Sequence, residues 1–147
     1  MGTSPADTTQ TSFDESRWPF VVITPPMVFS DADFGAMLAR IRSYYERGQR
    51  FGLVADVRVA APLQSEQRRV VVKELEDNAR RFGPLLVGVG AVMTSAVQRG
   101  GFKAMMWLRQ SPEPPAMAFS LPEDAMAWVR DRYQDGLNRG AGGELRG

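Results

Sequence analysis

The chain has 147 residues, a length at which a single domain buries a full hydrophobic core. Its 44% apolar composition is ordinary for a globular domain, and its formal net charge of +1 provides no overall field that would attract nucleic acid or a membrane surface. The absence of Cys and His from the sequence excludes disulfides, thiol nucleophiles, imidazole bases and zinc sites built on those residues.

Both ends of the chain have the composition of tails. Thr and Ser dominate residues 1–16, which predicts a disordered N-terminal tail, and the Gly-rich residues 138–147 predict a flexible C-terminal tail. One folded domain is therefore expected over residues 17–137. No apolar run approaches the roughly 20 residues that cross a bilayer, and the N-terminus lacks a secretory signal pattern, so we expect no transmembrane segment and a cytoplasmic protein.

The first part of the domain predicts two strands and a helix. A strand is predicted over 18–23, with Pro19 marking either its start or an edge position, and a short second strand over 27–29. Ser30 then caps a helix whose apolar residues recur at helical spacing, and Gly48 ends that helix.

The central part of the domain predicts alternating strands and helices. Residues 51–57 form a strand that is apolar on both faces until its end, as expected inside a sheet. Ser65 caps a helix over 66–82, with an apolar stripe that includes Val70, Val71, Leu75 and Ala79. A further buried strand follows over 85–93.

The last part predicts a helix over 96–108, a short strand over 116–119, and a final helix that a capping box opens near residue 120 and that continues through Tyr133. This order, β(β)αβαβαβα, indicates an α/β fold. We expect a mixed, mostly parallel sheet of four or five strands, about four helices and right-handed crossovers.

Four segments with this element order resemble the STAS fold, and more closely the small bacterial proteins of the STAS/Sec14-like family. The segments are FSDADF at 29–34, LVADVR at 53–58, VQRGGFKAMMWL at 97–108 and FSLPEDAMAW at 119–128. Together they span nearly the whole predicted domain, and their combination carries the resemblance.

The resemblance implies a domain that binds partners or small ligands and does not catalyse a reaction. Anti-sigma-factor antagonists of this family carry Asp-Ser-Gly after a central strand, and the Ser is phosphorylated. Here Asp56 matches the Asp, but Val57 and Arg58 occupy the Ser and Gly positions. The phosphorylation switch is therefore not carried over, while a partner-binding role is.

Asp56 and Arg58 form the first candidate binding site, because ligands of open α/β sheets bind near the carboxyl ends of strands. The alternative is local: Asp56 accepts backbone hydrogen bonds from its loop, and Arg58 is solvated or pairs with it. A second candidate comprises Ser95, Arg99 and Lys103 around the start of the 96–108 helix, where free N–H groups favour an anion. Its alternative is a capped helix with two exposed cations.

The 96–108 helix is the third candidate, because it is apolar on nearly every side. At 100° per residue, Phe102 and Met106 share one face, Trp107 lies beside Lys103 on another, and a further face includes Met105. One face packs on the sheet, and the others need a cover. Either a partner or ligand provides it, or neighbouring loops and the final helix do.

We therefore predict a non-catalytic protein–protein interaction or regulatory module of unknown partner, which self-associates, as a dimer, through the 96–108 helix. The alternative hypothesis is a carrier or sensor of a small apolar or amphipathic ligand, held between the sheet and that helix, with Arg58, Arg99 or Lys103 binding its polar head. We expect no cofactor, no metal and no nucleic-acid partner.

Overall fold

The computed structural model describes residues 10–146, and it describes side chains from residue 10 to residue 137. Within that range the chain is an α/β domain with one five-stranded sheet and four helices, as predicted. In chain order its elements are β1 (Ser12–Arg17), β2 (Phe20–Thr24), α1 (Asp31–Tyr45), β3 (Phe51–Asp56), α2 (Ser65–Phe82), β4 (Leu86–Val92), α3 (Ala96–Leu108), β5 (Ala116–Phe119) and α4 (Pro122–Arg146).

The sheet has the strand order β1-β2-β3-β4-β5, which is also the chain order. β1 lies antiparallel to β2, and β2 to β5 are parallel neighbours, so the predicted mixed, mostly parallel sheet is confirmed. Right-handed crossovers between sequential parallel strands place successive helices on the same face. Accordingly, α1, α2 and α3 cover one face of the sheet, and α4 covers the other.

α1 has the start and the buried face that its sequence predicts. The Ser30 hydroxyl accepts a hydrogen bond from the Asp33 amide at 3.1 Å, and Gly48 follows the helix with a positive φ of 72°. The six apolar residues at helical spacing are all buried against β2 and β3: Phe34, Met37, Leu38, Ile41, Tyr44 and Tyr45.

α4 packs closely on the opposite face because glycines in the sheet make room for it. A Cβ atom at Gly52 would collide with Val129, and one at Gly90 would lie 3.1 Å from the Ala125 Cβ. Ala125 and Val129 are completely buried there. This face is therefore tightly packed, as protein interiors usually are.

The predicted N-terminal tail is corrected in part, since β1 occupies Ser12–Arg17 while residues 1–9 lie outside the described residues. β1 is an edge strand that pairs only with β2, and its residues alternate between half-buried and exposed. Such a strand needs few apolar side chains. Phe13 is its apolar anchor, with the Arg40 guanidinium 4.7 Å from the ring centre.

The strand predicted over 27–29 is wrong: Met27 and Val28 form an exposed bend, and Phe29 has no regular secondary structure. Such a strand could not pair with the preceding strand β2, which β1 and β3 already flank on both sides. For the same reason β2 is not the edge strand that Pro19 allowed, although it does start after that proline.

The helix ends differ from the prediction in two places. Gln64, one residue before the predicted cap Ser65, is the N-cap of α2. Its backbone amide donates to the Gln67 side-chain oxygen at 2.9 Å. α4 continues to Arg146, through the segment 138–147 that we predicted as a flexible tail, apart from Gly147, which lies outside the described residues. A helix tolerates glycines at about 1 kcal/mol each, so the glycine content did not locate its end.

The Glu15 carboxylate links β1 to α1 through hydrogen bonds. It accepts hydrogen bonds from Arg40 Nη2 at 2.6 Å, from the Tyr44 hydroxyl at 2.8 Å and from Arg47 Nη2 at 2.9 Å. These bonds, that from Arg40 foremost, lower the pKa of Glu15 from 4.5 to about 2. Because the folded-state pKa is depressed, this stabilisation is complete above about pH 4.5 and is lost as the pH falls through about 2.

We predict that Glu15→Gln lowers the free energy of unfolding at neutral pH by about 1–2 kcal/mol, because charge-assisted hydrogen bonds are lost. The difference from wild type should shrink as the pH falls from about 4.5 towards 2. Urea unfolding over this pH range measures both effects. Glu66→Gln is the matched control, since Glu66 is exposed and its ion pair with Arg69 is 3.8 Å long. Equal losses in the two variants would contradict a structural role for Glu15.

Among the described residues, no helix combines the length and the apolar character that crossing a membrane requires.

Candidate functional site

α3 spans Ala96–Leu108, as predicted, but it is loosely attached to the domain. None of its 13 residues, all of which the structure describes, is buried. Trp107 is 88% exposed and Val97 66% exposed. A helix with this much apolar surface and no buried side chain gains little of the packing energy that normally holds a helix in place.

Polar contacts hold the first turns of α3. The Ser95 hydroxyl caps the helix by accepting from the Gln98 amide at 3.0 Å. Gln98 Nε2 donates to the carbonyl oxygens of Val57 and Ala60, at 2.5 and 2.9 Å, in the loop after β3. The start of the helix is therefore anchored by directed bonds, whereas its later residues extend over a cavity.

The cavity lies between the sheet and the three helices on that face, and its volume is about 190 Å³. β3 and β4 form its floor, α1 and α2 its side walls, the loop between β3 and α2 a further wall, and α3 its roof. Nearly all its lining is apolar, and Phe102, Met105 and Met106 contribute the roof. For scale, an engineered apolar cavity of about 150 Å³ stays dry and binds benzene.

Small side chains in neighbouring strands leave this space open. Ala55 on β3 lies beside Ala91 on β4, and Ala116 begins β5, so three alanines stand where bulky residues usually fill a sheet face. On the wall opposite them, the α2 residues Val71 and Leu75 are only half-buried. The apolar stripe predicted for α2 therefore faces the cavity as well as the core.

The cavity lining also includes three polar residues: Arg68, Gln98 and Arg109. The two arginines can only donate hydrogen bonds, and the Gln98 Nε2 already donates to Val57 and Ala60. Among the described residues, no Asp or Glu lines it. The arrangement suits an apolar molecule with one acceptor or anionic group.

Asp56 and Arg58 pair with each other at the end of β3. Arg58 Nε and Nη2 donate to the two Asp56 carboxylate oxygens at 2.9 and 2.7 Å. These bonds lower the pKa of Asp56. The geometry matches the local alternative, and neither residue lines the cavity.

The polar residues predicted at the start of α3 have different roles in the structure. Ser95 is the N-cap, and Arg99 Nη2 donates to the Met93 carbonyl oxygen at 3.2 Å and to the Ser120 hydroxyl at 2.7 Å. Arg99 thus connects α3 by hydrogen bonds to the residues that follow β4 and precede α4. Lys103 is exposed on the helix. These three residues do not line the cavity.

The predicted apolar residues of α3 divide between two environments. Phe102 and Met106 line the cavity, whereas Trp107 projects into solvent. Sequence reasoning did not assign Arg68 or Arg109 to the site. Arg109 could have been found by spacing, because it follows residues 98, 102 and 105 at intervals of three and four along one helix face.

Comparisons of the chain with protein-family models, with curated proteins and with solved structures found no match. Within the described part of the chain, no group of three or more acidic side chains is placed to hold a metal ion.

The glycine pair in α3 does not make room for a neighbour. Cβ atoms at Gly100 and Gly101 would meet no atom within 4 Å. No neighbouring backbone among the described residues approaches these two glycines closely. Their effect is instead to weaken the helix, by about 1 kcal/mol each relative to Ala.

We predict that Gly100→Ala slows hydrogen exchange of the α3 amides, because it stabilises this helix by about 1 kcal/mol. Hydrogen-exchange mass spectrometry of α3 peptides measures the effect. Gly52→Ala is the control glycine, and it should destabilise the whole domain through its collision with Val129. Faster exchange of α3 in Gly100→Ala would show that this glycine has a contact that the structure does not contain.

Proposed function

We propose that the chain is a non-catalytic, STAS-like domain that binds a small apolar or amphipathic molecule in the cavity beneath α3, as a carrier or sensor. The observation that supports this proposal most directly is the 190 Å³ apolar cavity roofed by a helix without a buried side chain. Ligand pockets are typically apolar with a few placed polar groups, and this cavity has that composition.

Membership of the STAS/Sec14-like family is part of the proposal. It is supported by the element order, by the parallel strands β2 to β5 and by the position of Asp56 at the end of the central strand β3. The proposed function depends on the cavity and not on the family, so it would survive a different family assignment.

α3 is suited to admit a ligand because none of its residues is buried, so that its displacement disrupts little core packing. The helix is capped at Ser95 and bonded through Gln98 at its first turn, while its centre contains Gly100 and Gly101. The backbone after the helix is held as well, because the Gln110 and Ser111 amides donate to Glu76 at 2.8 and 3.0 Å. We expect the turns between these two anchors to open locally and to close on a bound molecule, whose apolar surface would complete the core.

The expected affinity for a simple probe follows from its size. Each buried CH₂ of 1-octanol contributes about 0.8 kcal/mol, and the cost of association removes much of the sum. A Kd on the order of 0.1–1 mM is expected, because the hydroxyl of this probe is neutral and forms no charge-assisted pair with the arginines.

We predict that Met106→Trp weakens 1-octanol binding by about tenfold or more, because the indole fills the cavity from its roof. Isothermal titration calorimetry measures the affinity. Lys103→Trp is the matched control: it places the same indole on the same helix, at an exposed position outside the cavity lining, and should bind like wild type.

Two outcomes would reject a ligand site at this cavity. The first is equal octanol affinity in Met106→Trp and Lys103→Trp, which would place the bound probe elsewhere. The second is a wild-type protein that neither binds 1-octanol nor gains thermal stability from it.

A second candidate function is self-association through the outer face of α3. It is supported by Trp107, which is 88% exposed, and by its neighbour Leu108, which is 40% exposed. Exposed aromatic residues are enriched among interface anchors. In a two-fold dimer the same face of both copies would meet, which would cover the apolar surface that the cavity does not use.

For this second candidate we predict that wild type is a dimer and that Trp107→Asp is a folded monomer. Light scattering after size exclusion measures both masses at one protein concentration. Leu121→Asp is the control, because Leu121 is an apolar residue with 53% exposure that lies before α4. A monomeric wild type, or a dimeric Trp107→Asp, would exclude association through this face.

A further inference from the structure

We infer that the molecule held in the cavity carries a carboxylate, and that Arg109 is the residue that binds it. This inference rests on the proposed ligand site and specifies the chemical class of its ligand. It depends on three observations. Arg109 has a buried donor without a partner, Arg68 donates only to neutral acceptors, and the Glu76 carboxylate binds the backbone just after Arg109.

One buried N–H donor of Arg109 has no acceptor among the described residues. Arg109 lines the cavity at the end of α3 and is half-buried, and its Nη2 atom is shielded from solvent without a hydrogen-bond partner in the described part of the chain. Among the described side chains, no carboxylate oxygen lies within 4.0 Å of its guanidinium. A buried donor without an acceptor is unfavourable, and an anion bound there would satisfy it.

Arg68 adds a second positive charge that its contacts do not neutralise. Its Nη1 donates to the Leu63 carbonyl oxygen at 2.7 Å and its Nη2 to the Ser65 hydroxyl at 3.1 Å, both of which are neutral acceptors. By contrast, arginines such as Arg42 and Arg58 pair with acidic side chains. Among the described residues, neither of the two arginines that line the cavity has an acidic partner.

The carboxylate of Glu76 positions Arg109 without neutralising it. Glu76 is 8% exposed, and its Oε2 accepts from the amides of Gln110 and Ser111 at 2.8 and 3.0 Å. Those two bonds fix the backbone immediately after Arg109. Glu76 therefore holds the backbone just after α3 in place, and these bonds come from backbone amides and not from the Arg109 guanidinium.

A carboxylate with a short apolar tail matches these features. The guanidinium presents parallel N–H groups that bind a carboxylate in a bidentate manner, and the surrounding apolar lining strengthens such a pair by excluding water. The tail would occupy the 190 Å³ space among the alanines of the floor and the methionines of the roof.

The test compares octanoate with 1-octanol, which have chains of the same length, by calorimetric titration of wild type, Arg109→Met and Arg69→Met. In wild type, octanoate should bind roughly tenfold more tightly than 1-octanol, as expected for one charge-assisted pair. Arg109→Met should lose this preference and keep its affinity for 1-octanol. Arg69→Met removes an exposed arginine from α2 and should keep the preference.

Thermal unfolding without ligand provides the folding control. Arg109→Met should be at least as stable as wild type, because it removes a buried donor without a partner. If Arg109→Met does not fold, Arg109→Lys takes its place. That variant keeps the charge but lacks the bidentate geometry, and it should retain only part of the octanoate preference.

Equal affinities for octanoate and 1-octanol in wild type would overturn the inference and leave the cavity as a ligand site. An octanoate preference that survives in Arg109→Met, or that Arg69→Met loses equally, would also overturn it, because the preference would then arise from general charge. If wild type binds neither probe, both this inference and the proposed ligand site fail.

Discussion

The helices on the two faces of the sheet pack against the strands at different distances. On one face, Gly52 and Gly90 let α4 approach until its side chains touch the strands. On the other face, alanines in β3, β4 and β5 leave about 190 Å³ beneath α3. The tightly packed face and the buried side of α1 supply the core that keeps the domain folded. The core that stabilises the fold is therefore separate from α3, as the proposed opening of this helix requires.

This separation explains why α3 is both apolar and unburied. Its inner residues cover the cavity, so a bound molecule would complete their packing, while Trp107 on its outer side remains available to another surface. The two proposed functions thus use different faces of one helix and are compatible. They would also be coupled, because a ligand that orders α3 would fix the position of Trp107, and a partner that orders α3 would favour the closed cavity.

The sequence predicted most of the fold because local signals agreed with the packing. Ser30 and Ser95 marked helix starts, and alternating apolar strands and amphipathic helices indicated the mostly parallel sheet. β1 was missed because an edge strand that pairs on one side needs only Phe13 as an apolar anchor. The cavity could not be predicted either, since a void depends on how three strands bring alanines together. Helical spacing could have placed Arg109 on the same face as Phe102 and Met105, but not beside a cavity.

The measurement that tests the central claim most directly is a methyl NMR titration of the ¹³C-labelled methionines with 1-octanol. The cavity is lined by four of them: Met37, Met93, Met105 and Met106. Met27 and Met117 are exposed controls outside the lining. A ligand site at the cavity predicts shifted resonances and direct ligand contacts at the cavity methyls, with the two controls unchanged. Shifts confined to Met27 and Met117, or cavity methyls that show no contact with a saturating probe, would contradict it.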